Sequence, residues 1–519
     1  MSSNEYRPSA IDVHVRHAGH HHTGNIKYGY ITLGTSIAVA LILAVSNHFY
    51  LHKWQRDGHP SPKSVWRRIG RVPIWAHMAF WSVIVLGLSF FHVKKLSENY
   101  NVVIKRLGRV GYALVPLDVL LVIRPSLLGG SYLDYISLHK WLLRLIVVAV
   151  VLHGIGFFTK WLIEGTFWTK TFRWANFMGV IVAVIGVVLA VVSIGPVRRR
   201  VYGIFYIIHN VTVVTFLVLI WLHARPGVLD FVILLLSMLA FQVYQRLTLV
   251  HQIPRITIVD KDTASLRVLH LTKPSEFPTR WFAGSHIRLG YAKSNFRYWL
   301  LPAHPYTLCS LPADTTLDLV VKKGFRFQVF SSLEYTVSNP FQSIPPPCFL
   351  TAENVNVFCG GSGISLGIPV VRYLKHSSSA KVNLFWCITN KEDAYVLEEL
   401  KVTHRVDVYV TGNSDTMFLG SQNEEDDGLL NQVDDIELGS LLAESASDPF
   451  ADSQTLDKNL DIVFHRGRPA LDHIFSSFSE TSEPANKWII ACGPESLIQD
   501  AKTWSKLHDV QLFTELYDM

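Results

Sequence analysis

The chain has 519 residues, 49% of them hydrophobic and 17% charged, with a formal net charge of +7. Its mean hydropathy of +0.24 excludes an ordinary soluble protein. No nucleic-acid partner is expected.

Residues 1–27 form a polar N-terminal tail without the charged-then-apolar order of a secretory signal. The His20–His22 cluster within it is expected to be solvated. Seven apolar runs follow, at 28–50, 74–91, 110–128, 138–158, 175–195, 201–222 and 228–250. Most approach the roughly 20 residues that a spanning helix requires. The third is the weakest, because Pro116, Asp118 and Arg124 interrupt it. Residues 28–250 therefore predict a multi-pass α-helical membrane domain.

The fourth and sixth runs each hold two histidines, His139 with His153 and His209 with His223, thirteen residues intervening in both cases. Fourteen positions at about 100° and 1.5 Å each return the second histidine to within about 40° of the first, roughly 21 Å along the axis. Both runs are even-numbered, so the two helices point the same way and pair His139 with His209 and His153 with His223. Such helices could clamp two stacked haems in a bundle, each iron held by one histidine from each helix. A single buried histidine is usually structural, but the repeated spacing argues for ligands. His77 and His92, fifteen apart on the second run, have no counterpart elsewhere and are set aside. Arg144, within a turn or so of His139, suits either a haem propionate or snorkelling to the interface.

If the soluble half is cytosolic, seven spans put the N-terminus outside and the His139/His209 pair towards the cytosol. The Lys- and Arg-rich stretches at 53–71 and 198–200 agree with the positive-inside rule, whereas 94–109 does not.

Beyond residue 250 the pattern changes to short β-rich runs. Residues 251–347 read as a small barrel with strands at 255–260, 265–272, 286–289 and 317–322. Residues 352–519 alternate strands with helices, as a nucleotide-binding α/β domain does. An acidic insertion, 414–460, holds eleven acidic residues and no Lys or Arg between Glu424 and Asp457, and reads as a solvated loop. The five cysteines lie in this half without metal-like spacing, which fits a reducing compartment.

Two motifs carry nucleotide chemistry. In His304-Pro305-Tyr306-Thr307-Leu308-Cys309-Ser310 an aromatic ring followed by a hydroxyl can stack on a flavin and hydrogen-bond its N5 edge. Lys322, Lys323 and Gly324 then offer cations and a close-approach glycine for the flavin pyrophosphate. Between a strand and a helix, Gly360, Gly361, Ser362, Gly363, Ile364 and Ser365 let backbone N–H groups reach a pyrophosphate, with a plain tight turn as the alternative. The strand at 488–492 ends in Cys492-Gly493-Pro494.

In this order the motifs resemble the fungal ferric reductase and NADPH oxidase superfamily over roughly residues 75–519, most like the altered-inheritance-of-mitochondria type of probable metalloreductases. The resemblance implies FAD, NADPH and two b-type haems as cofactors, with His139, His153, His209 and His223 as haem ligands. It implies a ferredoxin-reductase-like barrel with FAD held at His304–Thr307, and an α/β domain with the NADPH pyrophosphate at Gly361–Ser365. Cys492-Gly493-Pro494 would meet the nicotinamide end, Arg468 in His465-Arg466-Gly467-Arg468-Pro469 the 2′-phosphate, and Phe513–Tyr517 the flavin region. Two departures stand out. The run Cys387-Ile388-Thr389-Asn390-Lys391 lacks an arginine that many members use for the 2′-phosphate. Phe157 stands where superoxide-forming oxidases usually carry a further histidine. The implied activity is electron transfer across the bilayer to ferric or cupric chelates. A superoxide-forming oxidase shares every motif, and a non-catalytic protein on the same scaffold is a third reading. Plasma membrane and endoplasmic reticulum both fit, and protein partners stay open.

Overall fold

A backbone in hydrocarbon must satisfy its own N–H and C=O groups, so apolar runs fold as helices there. The computed structural model describes residues 10–57, 69, 72–124, 126–129, 132–224, 227–324, 327–344, 347–350, 352–412, 461–475 and 486–516. Its amino-terminal half contains α1 (Ala10–Asp57), α2 (Ile74–Phe90), α3 (Leu96–Ala113), α4 (Val115–Leu120), α5 (Tyr132–Ile163), α6 (Trp174–Val192), α7 (Tyr202–His223) and α8 (Leu229–Thr248). Among the described residues five segments are long and apolar enough to cross a membrane: Asn25–Phe49, Tyr135–Ile163, Trp174–Val192, Tyr202–His223 and Leu229–Thr248. Ile74–Phe90 is apolar but shorter. Large side chains on the outward faces, such as Val83, Val184 and Ile204, are exposed, as lipid-facing residues are.

Two expectations are corrected here. Residues 10–27, expected to be a tail, continue the first helix, since α1 begins at Ala10. The run expected at 110–128 is not one helix. Helix α3 ends at Ala113 and α4 restarts with Pro116 in its first turn, because proline lacks the N–H that would continue the ladder.

The same segment holds two charges of the basic stretch at 94–109, Arg106 and Arg109. Arg106 is 8% exposed, with Nε 2.9 Å from Asn25 Oδ1 and Nη1 2.6 Å from the Phe91 carbonyl. Arg109 Nη1 donates to the Gly227 carbonyl at 3.0 Å. These charges are held within the bundle by partners, so they are not the loop charges that the positive-inside rule counts. Small residues bring α3 against α5: a β-carbon on Gly111 would lie 3.0 Å from Ala149 Cβ, and one on Gly156 2.6 Å from Ile104 Cδ1.

The carboxy-terminal half holds two antiparallel sheets and one parallel sheet. The barrel sheets run β1-β7-β4-β5 and β2-β3-β6, with β1 (Val250–Ile253), β2 (Ile256–Asp260), β3 (Leu266–Thr272), β4 (His286–Tyr291), β5 (His304–Thr307), β6 (Thr316–Lys322) and β7 (Tyr335–Ser338). Strand β1 starts two residues after α8 ends. Tyr298 OH donates to the Arg246 carbonyl at 2.8 Å and Lys293 Nζ to the Leu247 carbonyl at 2.9 Å, which fixes the barrel to that helix end.

The parallel sheet has the order β11-β10-β9-β8-β12-β13, with β8 (Asn354–Gly360), β9 (Lys381–Ile388), β10 (Val406–Val410), β11 (Ile462–Arg466), β12 (Lys487–Gly493) and β13 (Gln511–Leu516). Helices α9 (Ile364–Ser377) and α10 (Glu495–Leu507) follow β8 and β12. Chain order reverses between β8 and β12, and ligands of such sheets bind at the carboxyl ends of strands flanking that switch. The acidic insertion at 414–460 lies outside the described residues. Asp393 locks this domain to the barrel, accepting from Ser265 N at 2.7 Å, Ser265 Oγ at 2.6 Å and Leu266 N at 2.9 Å.

Candidate functional site

The four helical histidines meet in the pairs that the helix directions imply. The ring centroids of His139 and His209 are 6.3 Å apart at 87°, and those of His153 and His223 are 6.2 Å apart at 82°. An imidazole bonded through Nε2 at about 2.0 Å places its ring centre about 3.1 Å from the metal, so two axial imidazoles stand about 6.2 Å apart. Both pairs therefore fit a bis-histidine haem iron. Three of the rings are anchored through Nδ1 to backbone carbonyls: His153 to Ile104 at 2.8 Å, His223 to Ala175 at 2.7 Å, and His139 to Asp118 at 3.3 Å, with Asp118 Oδ1 also 3.1 Å from that nitrogen. Anchoring the far nitrogen orients a ligand ring and fixes its tautomer. Nδ1 of His209 is buried without a hydrogen-bond partner among the described residues.

Glycines make room for the second pair. A β-carbon on Gly108 would lie 2.5 Å from His153 Nδ1, and one on Gly179 2.4 Å from His223 Cε1. The His139/His209 pair is the one nearer the barrel: a β-carbon on Gly203, in the first turn of α7, would lie 3.9 Å from Leu301 Cδ2. Arg144, five residues past His139, points about 140° away from it around the helix. Its guanidinium lies 4.3 Å over the Trp141 ring, which fits snorkelling rather than a propionate. His92 follows the end of α2 in a left-handed turn at φ 55°, so it does not share that helix with His77.

In the barrel, β5 aligns the flavin motif against β4 in the register His286↔Thr307 and Ile287↔Tyr306. His304 stacks on Phe327 with centroids 4.4 Å apart, and burial pushes its pKa down to about 4, so the ring is neutral. Pro305 is exposed beside it. The Tyr306 hydroxyl is buried without a partner among the described residues, and burial raises its pKa. Thr307 Oγ1 lies 3.0 Å from His286 Nδ1. Ser310 is fully buried and its hydroxyl accepts from Asp318 N at 2.6 Å, which gives it a turn-stabilising role. Lys322 is exposed at the end of β6, whereas Lys323 is tied to Asp260 and to the Lys261 carbonyl. Gly324 turns the chain there at φ 76°.

The two glycine motifs of the α/β domain, far apart in sequence, touch at the switch point. A β-carbon on Gly363 would lie 2.3 Å from the Cys492 carbonyl oxygen, and one on Gly360 2.8 Å from Pro494 Cδ. Gly361 has φ 51° with open space beside it, so its backbone can approach a ligand. Ser362 lies in the same turn, and Ile364 and Ser365 open α9. Gly493 has φ 159°, and a β-carbon on it would lie 3.0 Å from Gly360 N.

At the carboxyl ends of β9–β11, Arg468 follows Gly467, whose N–H bonds the Val410 carbonyl at 2.8 Å. Burial pushes the Cys387 thiol up to about 12, and nearby Arg468 pulls against that shift. Lys391 Nζ lies 5.0 Å over the Phe464 ring of β11. Phe513 and Glu515 lie on β13, while Tyr517 is outside the described residues.

Sequence reasoning had missed Asp118 as a ligand anchor, Gly108 and Gly179 as ring supports, and His286 as the partner of Thr307. The only signal for Gly179 was its presence in an apolar helix, and Gly108 lies in a helix of mixed polarity that gave none. Asp118 had figured merely as an interruption of a span.

Three family models match successive stretches of the chain: "Ferric reductase like transmembrane component" at 107–220, "FAD-binding domain" at 250–345 and "Ferric reductase NAD binding domain" at 352–506. A protein of Clavispora lusitaniae named "Probable metalloreductase AIM14" is 51% identical over 507 residues, covering 97% of this chain and 99% of its own length. Proteins of the same name from Scheffersomyces stipitis and Debaryomyces hansenii are 39% and 38% identical, each over 97% of this chain and over 97% and 98% of their own.

Proposed function

The chain belongs to the ferric reductase family, and on that premise we propose which residues carry its electrons and what accepts them. It is a multi-pass membrane oxidoreductase with FAD-binding and NAD-binding domains, built for electron transfer across the bilayer to metal acceptors. The observation that carries the residue assignment is the spacing of the paired imidazoles, 6.3 and 6.2 Å between ring centres.

His139 with His209, and His153 with His223, hold one b-type haem each. Thr307 and the neighbouring Tyr306 and His304 face the flavin, with Lys322 and Gly324 towards its pyrophosphate. Gly360–Ser365 and Cys492–Pro494 line the NADPH crevice, and Arg468 and Lys391 select the 2′-phosphate. When bound, NADPH supplies hydride, FAD converts the pair into single electrons, and the haems relay these one at a time.

The soluble half faces the cytosol, so the His139/His209 pair lies on the cytosolic side and the His153/His223 pair on the outer side. A haem held by both His153 and His223 would leave an acceptor no coordination position on its iron, so the acceptor would take its electron without binding the metal. Phe157 packs edge-on against His153 with centroids 5.1 Å apart, placing an apolar ring on the next turn of the helix. This favours a ferric or cupric chelate as acceptor. The host membrane is the plasma membrane or the endoplasmic reticulum.

The test is NADPH-driven reduction of a ferric chelate by purified membranes, in air and without oxygen. Direct metal reduction survives anaerobically and ignores superoxide dismutase. Loss of reduction under either condition identifies oxygen as the acceptor. No reduction at all, with haem and FAD bound, overturns the enzymatic reading.

A further inference from the structure

Several polar contacts seat the nucleotide domain on the barrel. Asp393 accepts from Ser265 N and Leu266 N at 2.7 and 2.9 Å. The Tyr395 hydroxyl donates to the Leu266 carbonyl at 3.0 Å, and Arg372 of α9 holds Asp314 through both Nη atoms at 2.9 Å. A further contact runs through His270 of β3, whose side chain is 21% exposed. Its Nδ1 lies 2.8 Å from Asp318 Oδ1 on β6, within the barrel. Its Nε2 lies 3.1 Å from Glu399 Oε1, at the end of the short helix Tyr395–Glu399 of the nucleotide domain.

These contacts respond differently to pH. The Arg372 guanidinium stays charged, and burial pushes the Tyr395 hydroxyl up to about 12, so it stays neutral. An imidazole changes charge in the neutral range. A carboxylate offers only acceptors, and His270 has one at each nitrogen, so only the doubly protonated ring can donate to both. In either neutral tautomer a lone pair faces a carboxylate, and the positive charge opposite Glu399 is gone. The hydrogen bond to Asp318 holds the ring above its ordinary pKa against burial, and Glu399 adds to that. The cross-strand neighbour on β2 is the uncharged Thr257. Arg372 feels the charge of Asp318.

We propose that His270 is a positioning residue that holds the nucleotide domain against the flavin barrel while it carries both ring hydrogens, and that this hold weakens when the ring loses one. The inference rests on the reading above that NADPH on one domain reduces FAD on the other. Asp318 stays with His270 whether or not the domains are docked, whereas Glu399 meets the ring only in the docked arrangement. Docking is therefore strongest with the ring charged, and it weakens as pH rises through a value above the ordinary 6.5. Hydride transfer, which needs the two domains aligned, slows over the same range.

Glu399→Gln is the discriminating variant. A glutamine amide can accept from a protonated Nε2 and donate to a bare one, so the contact survives in both states of the ring and Asp318 is untouched. Two pH profiles are measured on the full-length holoprotein: protease cleavage between the two soluble domains, and anaerobic single-turnover reduction of FAD by NADPH. In the unmodified protein cleavage should rise, and FAD reduction fall, by about two- to fivefold from the acid to the alkaline side, the range for a partly exposed ion pair. Glu399→Gln should flatten both profiles. Asp393→Ala, a purely structural loss, should speed cleavage at every pH and keep the slope. A slope that persists in Glu399→Gln overturns the proposal, as does a flat cleavage profile in the unmodified protein. If NADPH reduces no FAD at any pH, the functional reading falls, while the cleavage profiles still decide whether His270 holds the domains.

Discussion

At Gly108 and Gly179 hydrogen is the largest side chain that the neighbouring imidazoles allow. A β-carbon closer than about 3 Å to a ring forces the ring to move, and a haem ligand has no freedom to do so. Gly108→Ala and Gly179→Ala should each lose the haem of the His153/His223 pair and keep the other, leaving roughly half the haem per protein. His153→Ala should do the same with the flavin site retained. A full haem complement in any of the three would sink the ligand assignment. Asp118 acts on the other pair: its carboxylate lies 3.1 Å from His139 Nδ1. Asp118→Ala should weaken haem retention there by about 10–100-fold, the usual effect of removing a partner that orients a ligand, measured by haem loss on dilution. The four histidines were legible in the sequence because fourteen-residue spacing is a property of one helix. Asp118 and the glycines were not, because their partners lie on other helices.

Among the elements, strands β2, β3, β4 and β6 were legible from β-branched runs, while the four-residue strands β1, β5 and β7 depend on partners for their definition. The third span was misplaced because hydropathy counts residues, whereas the helix boundary is set by backbone hydrogen bonds around Pro116. Docking of the two soluble domains concentrates on Asp393. Asp393→Ala leaves Ser265 N and Leu266 N unpaired, at about 1–3 kcal/mol for each buried donor, so the full-length protein should melt earlier and be cleaved faster between the domains. The barrel also has an acid limit. His304 has a folded pKa of about 4 against an ordinary 6.5, so below 6.5 the unfolded chain takes up the proton first. Its contribution to stability is complete above about pH 6.5 and is lost as pH falls towards 4. Replacing His304 with Phe, which keeps the stacking but cannot titrate, should flatten that part of the Tm–pH curve.

In the proposed route across the whole molecule, electrons enter at the carboxyl edge of the parallel sheet and leave at the far end of the helical bundle. Nucleotide choice belongs to the entry end. Arg468→Ala should raise KM for NADPH about 10-fold or more and leave NADH unaffected, since a charged hydrogen bond contributes about 1.5–3 kcal/mol; equal effects on both nucleotides would remove Arg468 from that role. By itself the sequence determined the membrane and soluble halves, the two matched histidine pairs and the order of the nucleotide motifs. These are carried by composition and by periodicities within a single element, which local residue choice specifies. Tertiary structure decided how closely the imidazole pairs approach, which glycines and carboxylate support them, and that His286 links Thr307 to Glu515. Those facts come from contacts between residues distant along the chain, and such contacts exist only once the helices and sheets have packed.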